Sequence, residues 1–334
     1  MNKPSPVRAL SLLSGGLDSR LATCVLRDQG IEVHGVVFES PFFSSAAARR
    51  ASEQLGLPLH VIPFTEDIIG LVEHPPHGFG GEMNPCIDCH ARMLRRAGAL
   101  MEELGFHFLS TGEVLNQRPM SQNMASLALV ARESGYADLI VRPMSARLLP
   151  ETRPEREGWV DRSRLLDLQG RSRKPQMKMA ERYGISDYPT PAGGCLLTEP
   201  NFAARLRDLK KHEGIRDLKA IELLRVGRHF RLGPRTKVIV GRNQQDNDWL
   251  ESHAGDDAVL AVDDVPGPTV LIHGEVPEGT LQAAASICAR YAPRVANAPS
   301  ATVTVRDPRG TSKLNVRPAD PSDVRSILVG QPAD

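Results

Sequence analysis

One pattern near the start of the chain restricts its fold more than any other. A short apolar run, Ala9 to Leu13, breaks at Ser14-Gly15-Gly16, and Leu17, Leu21, Cys24 and Val25 then recur at helical spacing until Gly30. This reads as strand, loop, helix. Ile31 to Phe38, rich in β-branched residues, predicts a second strand, the Ala-rich Ser44 to Leu55 a helix, and Leu57 to Phe64 a third strand. A βαβαβ beat with short connections requires a parallel sheet covered by helices, with ligands held beyond the carboxyl ends of the strands. The loop at Ser14 lies at such an end.

The beat continues. After a Pro/Gly-rich loop (His74 to Gly81), helices are expected over Ala91 to Leu104 and Met120 to Glu133, with strands over Phe106 to Ser110 and Leu139 to Val141. Arg147 to Gly170 is dominated by proline, glycine and charge, and Lys174 to Tyr183 reads as a short helix before Tyr188-Pro-Thr-Pro-Ala-Gly-Gly-Cys195. That stretch is expected to be a lid or substrate-facing segment. Near Leu218 the texture changes to short strands (Lys237 to Val240, Ala258 to Val262, Thr269 to Ile272) and a helix at Gly279 to Tyr291. The expectation is an α/β parallel-sheet domain over 1–209, a smaller α+β domain over 210–320, and a polar tail over 321–334.

Two domains suit a chain of 334 residues at roughly 100 to 200 residues per domain. No run approaches the ~20 apolar residues of a membrane helix, and Pro4 and Pro6 stand where a leader would be charged and apolar, which points to a cytoplasmic protein without membrane contact. The net charge of +1 conceals blocks: Asn201 to Asn243 holds twelve Lys/Arg against four acids, and Gln244 to Asp264 holds seven acids and no Lys/Arg. Arg142 to Arg182 adds eleven Lys/Arg against six acids. Such blocks fit either a solvated surface or a polyanion partner.

Ser14-Gly15-Gly16-Leu17-Asp18-Ser19 joins strand to helix where glycines let a backbone approach an anion and the helix N-terminus turns its free amides toward it, so phosphate is the expected ligand. The run is neither GxxxxGK[ST] nor GxGxxG. A Ser-Asp-Ser helix cap after a tight turn is the plainer reading of the same residues. The hexapeptide resembles the signature of the PP-loop ATP pyrophosphatases, which cleave ATP between its α and β phosphates and adenylate a substrate oxygen. That resemblance implies an adenine-nucleotide α-hydrolase-like fold, with Ser14, Gly15, Gly16 and Ser19 on the pyrophosphate and Asp18 positioning Mg²⁺ or ATP.

Five cysteines are an odd number, and with no leader a disulfide scaffold is not expected. Cys24 and Cys288 fall on apolar helix positions and read as small core residues. Asn84-Pro85-Cys86-Ile87-Asp88-Cys89-His90 is expected to precede the helix beginning near Ala91, and Cys195 to lie in a glycine-rich turn, both outside regular elements. Cys-x-x-Cys-His matches c-type haem attachment only in exported proteins. The open alternatives are structural zinc closed by His90, a persulfide-bearing cysteine pair, and a [4Fe–4S] cluster held by three Cys. Asn-Pro-Cys-x-x-Cys resembles the motif of bacterial tRNA 2-thiouridylases, whose last Cys works with a distant Cys to deliver sulfur; Cys89 and Cys195 match those roles. The additional Cys86 resembles the cluster-dependent tRNA thiolases, which implies a [4Fe–4S] cluster on Cys86, Cys89 and Cys195.

Thr111-Gly-Glu-Val-Leu-Asn-Gln-Arg-Pro-Met-Ser-Gln122 and Arg142-Pro143 resemble segments of the tRNA 4-thiouridine synthetases that line the ATP and substrate cleft. Gly112, Glu113, Gln117 and Gln122 become site candidates on that resemblance. Those synthetases carry a large RNA-binding region before the loop, whereas eight residues precede Ala9 here. Val240-Gly-Arg-Asn243, Asn247, Trp249-Leu250, Asp256-Asp257 and Val265-Pro-Gly-Pro268 resemble the NFACT-type RNA-binding domain, with Ala261 where that family has a histidine. With 4% aromatics, phosphate contacts by Arg228, Arg231, Arg235 and Arg242 are expected over base stacking. Together these imply an ATP-dependent tRNA sulfurtransferase, with tRNA as partner and sulfide or a persulfide carrier protein as sulfur donor. The rival reading is a PP-loop ligase that adenylates a small molecule and installs nitrogen, its cysteines holding structural zinc.

Overall fold

The computed structural model describes residues 6–188 and 194–330, so Pro189 to Gly193 of the expected substrate-facing stretch lie outside the described residues. Contacts divide the chain into two units, Met1–Thr198 and Glu199–Asp334. The boundary expected at 209/210 falls within a helix of the second unit. No described helix is long and apolar enough to cross a membrane.

In the first unit the elements are β1 (Arg8–Leu12), α1 (Leu17–Arg27), β2 (Glu32–Glu39), α2 (Ala46–Leu55), β3 (Leu59–Pro63), α3 (Thr65–Glu73), α4 (Cys86–Glu103), β4 (Phe108–Thr111), α5 (Met124–Ser134), β5 (Ile140–Val141), α6 (Arg153–Arg156) and α7 (Lys174–Arg182). The strands form one parallel sheet in the order β3-β2-β1-β4-β5. Strand order therefore reverses between β1 and β4, the place where open α/β sheets bind ligands. Leu12 lies opposite Thr111 in that pair, so the loop after β1 and the Thr111 segment leave the sheet side by side.

Two expectations change here. α4 begins at Cys86, five residues ahead of the expected start at Ala91, so Cys86 and Cys89 sit in its first turn and not outside regular structure. The apolar periodicity begins later because this first turn is polar; Pro85 at the N-cap marks the true start. The stretch Arg147 to Gly170 is packed, with Val160 and Leu165 buried against Ala9, Val25 and Phe108. Its backbone is tied down as well, since Leu166 N donates to Pro143 O and Gly170 N to Leu115 O. These contacts anchor it to the sheet.

The second unit comprises α8 (Pro200–His212), α9 (Leu218–Leu223), β6 (Arg228–Gly233), β7 (Thr236–Val240), α10 (Gln244–Ser252), β8 (Ala258–Val262), β9 (Val270–Gly274), α11 (Thr280–Arg290), β10 (Ala301–Asp307), β11 (Gly310–Val316), α12 (Pro321–Ser326) and β12 (Leu328–Val329). Its antiparallel sheet runs β11-β10-β8-β9-β7-β6-β12. α11 lays Ala284, Ala285, Ile287 and Cys288 on the sheet's apolar face. The residues from 321 to 330, expected as a polar tail, form α12 and β12; Asp320 caps the helix and Leu328 pairs with Phe230.

Candidate functional site

The phosphate loop is shaped by two close approaches. Gly15 has φ +79°, and a Cβ there would stand 2.3 Å from the Ala47 carbonyl carbon; a Cβ on Gly112 would stand 2.5 Å from Ser19 N. Any side chain at either position would separate the loop from α2 or from the Thr111 segment. Within the loop Gly16 N donates to Ser14 Oγ at 3.3 Å, Ser19 Oγ donates to Gly16 O at 2.9 Å, and the Ser14 and Ser19 hydroxyls are 3.3 Å apart. Buried Arg20 holds the far side, donating to Gly15 O at 3.0 Å and to Gln54 Oε1 and Asp187 O at 2.6 Å each. Burial lowers its pKa, with Asp187 opposing that shift.

Gly16 is the N-cap of α1 and offers no side-chain cap. The first amides of an eleven-residue helix therefore face the loop without a side chain on them, the condition for anion binding at a helix start. The helix-cap reading of Ser14 to Ser19 does not hold here: the serines bond within the loop and leave the helix start uncapped.

Asp18 accepts from Gln117 Nε2 through Oδ2 at 2.7 Å, while its Oδ1 is buried with no described partner. Gln117 Oε1 in turn accepts from Gln176 Nε2 of α7 at 3.0 Å. Gln122 Oε1 and Gln176 Oε1 are likewise buried and unpartnered. Buried oxygens without partners are costly, about 1–3 kcal/mol each, and Asp18 Oδ1, an unpartnered carboxylate oxygen at the start of α1, has the donor chemistry to hold a hard cation such as Mg²⁺.

Glu113 has a different task from its neighbours. Its Oε2 accepts from Thr111 Oγ1 and Arg142 Nε at 2.9 Å each, and its Oε1 lies 3.4 Å from His90 Nδ1. Burial would raise its pKa, yet the buried Arg142 guanidinium and His90 hold it down to about 2. Glu113 thus pins β4, the Arg142 turn and α4 together. His90, the proposed fourth zinc ligand, is turned to this carboxylate.

The cysteines come from segments more than a hundred residues apart, and backbone bonds explain their meeting. Leu196 N donates to Phe42 O at 3.0 Å and Met83 N to Leu197 O at 3.1 Å, which lays the Cys195 segment along the approach to α4. Burial raises the Cys89 thiol well above its ordinary pKa, and the charges of Cys195 and Cys86 raise it further. Burial pushes Cys195 up to about 11, with Cys86 adding to it. Cys86 is raised by burial too, and the charge of Arg118 is among the opposing effects. Cys89 therefore feels both of the other thiols, and Cys195 feels Cys86. All three are free thiols, and among the described residues no group of three or more His, Cys, Asp or Glu is arranged to hold a metal ion. Asp88 fastens the His74 to Gly81 loop over this turn through His77, at 3.0 Å to its N and 2.6 Å to its Nδ1.

Ser14, Gly15, Gly16, Asp18, Ser19, Gly112 and Gln117 are thus gathered around one loop, and the Cys195 segment runs beside Cys86 and Cys89 in the first turn of α4. Sequence reasoning missed Gln176, Arg20 and the His77–Asp88 clasp. For Gln176 a signal was present: it stands at helical spacing from Ala180 on the buried face of α7, and an amide in an apolar stripe requires a polar partner.

Residues 5–146 match the family described as Thiamine biosynthesis protein (ThiI), and residues 227–327 match the NFACT protein RNA binding domain. The chain thus carries one segment similar to the ThiI family and another similar to the NFACT-type RNA-binding domain. Among curated proteins, the tRNA-specific 2-thiouridylase MnmA of Geobacter metallireducens is 31% identical over 138 residues, which cover 34% of this chain and 36% of that protein. A probable tRNA sulfurtransferase of Thermoanaerobacter sp. is 33% identical over 129 residues, covering 36% of this chain and 32% of that protein. The chain spans about a third of the length of these relatives. A crystal structure of a 4-thiouridine synthetase–RNA complex with bound ATP aligns at TM-score 0.40 and 23% identity, over 65% of this chain and 52% of that one.

Proposed function

We propose that the protein is an ATP-dependent tRNA sulfurtransferase, which adenylates a uridine carbonyl oxygen and replaces it with sulfur to give a thiouridine. The observation that carries this is the pairing of an uncapped helix start in a PP-loop with three cysteines drawn together from distant segments. Neither centre alone requires thiolation; together they supply activation and sulfur. The ThiI-family match and the thiouridylase and sulfurtransferase relatives support the same reading.

ATP binds with its phosphates on the loop amides and the Ser14 and Ser19 hydroxyls, and Asp18, held by Gln117, places Mg²⁺. The uridine oxygen attacks the α-phosphorus and pyrophosphate leaves; amides preorganised on the departing charge provide most of the acceleration. Sulfur then attacks the adenylated carbon and AMP departs with the original oxygen. Cys86, Cys89 and Cys195 suit a [4Fe–4S] cluster by donor chemistry: buried Cys89 and half-buried Cys86 and Cys195, all with thiols raised by burial, would serve as its three thiolate ligands. Such a cluster, when bound, supplies an open iron that holds sulfide. The partners are tRNA, gripped by the NFACT-type domain, and sulfide or a persulfide carrier protein, all in the cytoplasm.

The test is anaerobic purification followed by iron analysis and mass spectrometry of nucleosides from tRNA incubated with ATP and sulfide. About four iron per chain and an ATP-dependent thiouridine are expected. Zinc in place of iron, with nitrogen transfer to a small molecule, would establish the ligase; thiouridine made by Cys86→Ala would favour a Cys89/Cys195 persulfide route.

A further inference from the structure

The second unit sorts its arginines into two groups. Arg231, Arg242, Arg306 and Lys219 each face a carboxylate, at 2.6 Å (Glu213), 2.7 Å (Asp246), 3.1 Å (Glu251) and 2.9 Å (Asp257). Arg205 is buried and donates to the Leu224 and Gly227 carbonyls at 2.7 and 2.9 Å. A cation already neutralised within the fold releases few counterions when a polyanion arrives, and buried ones cannot reach it. This removes Arg231 and Arg242 from the residues expected to grip RNA phosphates.

The other group converges on Tyr291, at the C-terminal end of α11. The guanidinium of Arg228, from β6, stands 5.0 Å from the centre of the Tyr291 ring. Burial raises the Tyr291 phenol, and the charges of Arg228, Arg290 and Arg325 all pull against that rise, which places three elements' arginines around one aromatic. Arg290 is braced by Ala319 O at 2.8 Å and Ala296 O at 2.9 Å. It forms a wall of a cleft of about 530 Å³ whose lining also includes Asn297, Arg317, Asp320 and Asp323. Arg228, Arg317 and Arg325 stand in no ion pair with a described residue. Asp320 accepts from Ser322 N at 2.8 Å and from Ser322 Oγ at 2.6 Å as the cap of α12, and the charges of Arg290 and Arg317 help to hold its carboxyl below the usual range without forming an ion pair.

We propose that Arg228, Arg317 and Arg325, arranged about Tyr291 and the cleft bounded by Arg290 and Asn297, form the RNA-phosphate contact surface of this domain. It rests on the RNA-binding reading above and names the face. Four guanidinium groups (Arg228, Arg290, Arg317 and Arg325) against two carboxylates (Asp320 and Asp323) leave an excess of positive charge beside a polar cleft, the condition for contact with phosphates. The acidic Gln244 to Asp264 segment, which contains Trp249, lacks the charge for that task.

The experiment measures binding of the full chain to an unmodified tRNA transcript by fluorescence anisotropy over a salt series. For the triple variant Arg228→Gln, Arg317→Gln, Arg325→Gln the slope of log affinity against log salt should become shallower by about 2, at about 0.7 to 0.9 per lost phosphate contact. Affinity at low salt should fall at least about tenfold. The matched Lys triple should recover most of the slope, which loss of folding would not allow, and Arg242→Gln with Arg306→Gln, both acid-paired, should change it by less than about one. A Gln triple with the wild-type slope, beside a wild type that binds normally, overturns this surface alone. A wild-type chain that does not bind tRNA overturns the RNA reading with it.

Discussion

The two loops of the first unit solve opposite electrostatic problems. The phosphate loop offers positive potential before any ligand arrives: uncapped amides at α1, a backbone fixed by Arg20, and glycines packed against α2 and Ser19. The cysteine centre offers only latent negative charge, because burial raises all three thiols, with neighbouring cysteines adding to the rise at Cys89 and at Cys195, which is pushed up to about 11. On the proposed function, the anion site would take ATP without further help, whereas the thiols would become reactive only once a cation joined them, so cluster loading would gate sulfur transfer and not adenylation.

The sharpest way to break this comparison is to remove each centre in turn. Cys89→Ala and Cys195→Ala should abolish thiouridine formation while pyrophosphate release with tRNA stays within about threefold of wild type. Asp18→Ala and Ser19→Ala should lower pyrophosphate release by about 10² to 10³, the range seen when one preorganised group leaves a transition state, yet leave iron binding intact. Pyrophosphate release and product nucleosides, measured on the same variants, decide it. If Cys89→Ala stopped pyrophosphate release too, the two centres would be one.

A smaller effect concerns Glu113, which stands between the centres. Its carboxyl titrates near 2 in the folded chain and near 4.3 when unfolded. Being depressed, it adds stability that is complete above about pH 4.3 and disappears as pH falls toward 2, on the order of 3 kcal/mol. Glu113→Gln should therefore flatten the acid limb of the stability curve between about pH 4.3 and 2 and, by leaving Arg142 buried without its counter-charge, cost about 3–5 kcal/mol at neutral pH. Urea denaturation of the iron-free chain across that range provides the curve. An acid limb as steep as wild type would mean that Glu113 is not the group pinning β4 to α4.

The phosphate loop could be read from sequence because its determinants are contiguous: strand, two glycines, helix. Its dependence on Gly112 and Gln117 was visible only through family resemblance, since the β1 to β4 pairing that brings them together links residues a hundred positions apart. The start of α4 was misplaced because periodicity reports the buried face, and a polar first turn has none. β12 was missed for a related reason: two half-buried residues, Leu328 and Val329, pair with β6, and no local pattern announces so short a partner. Arg231 shows the limit of charge counting. The sequence displays its positive charge but not Asp208 and Glu213, which the fold turns against it.

The smallest expected effect is at Gln176, which nothing but the packing of α7 connects with ATP. Asp18 accepts only, so Gln117 must offer it the amide nitrogen; its carbonyl then faces α7, where Gln176 donates. Removing Gln176 leaves Gln117 free to turn over and present its carbonyl to the carboxylate. Gln176→Leu keeps the volume and deletes the donor, so Asp18 loses about one hydrogen bond's worth of restraint, some 0.5 to 1.5 kcal/mol. The KM for ATP should rise about threefold to tenfold, with kcat for pyrophosphate release within about twofold, and the Mg²⁺ concentration needed for half-maximal rate should rise in parallel. Gln176→Glu should do more harm than Gln176→Leu despite its closer shape, because a second acceptor forces Gln117 to choose between two carboxylates. If Glu were tolerated better than Leu, α7 would support the loop by packing alone, and the phosphate centre would be as local in structure as it is in sequence.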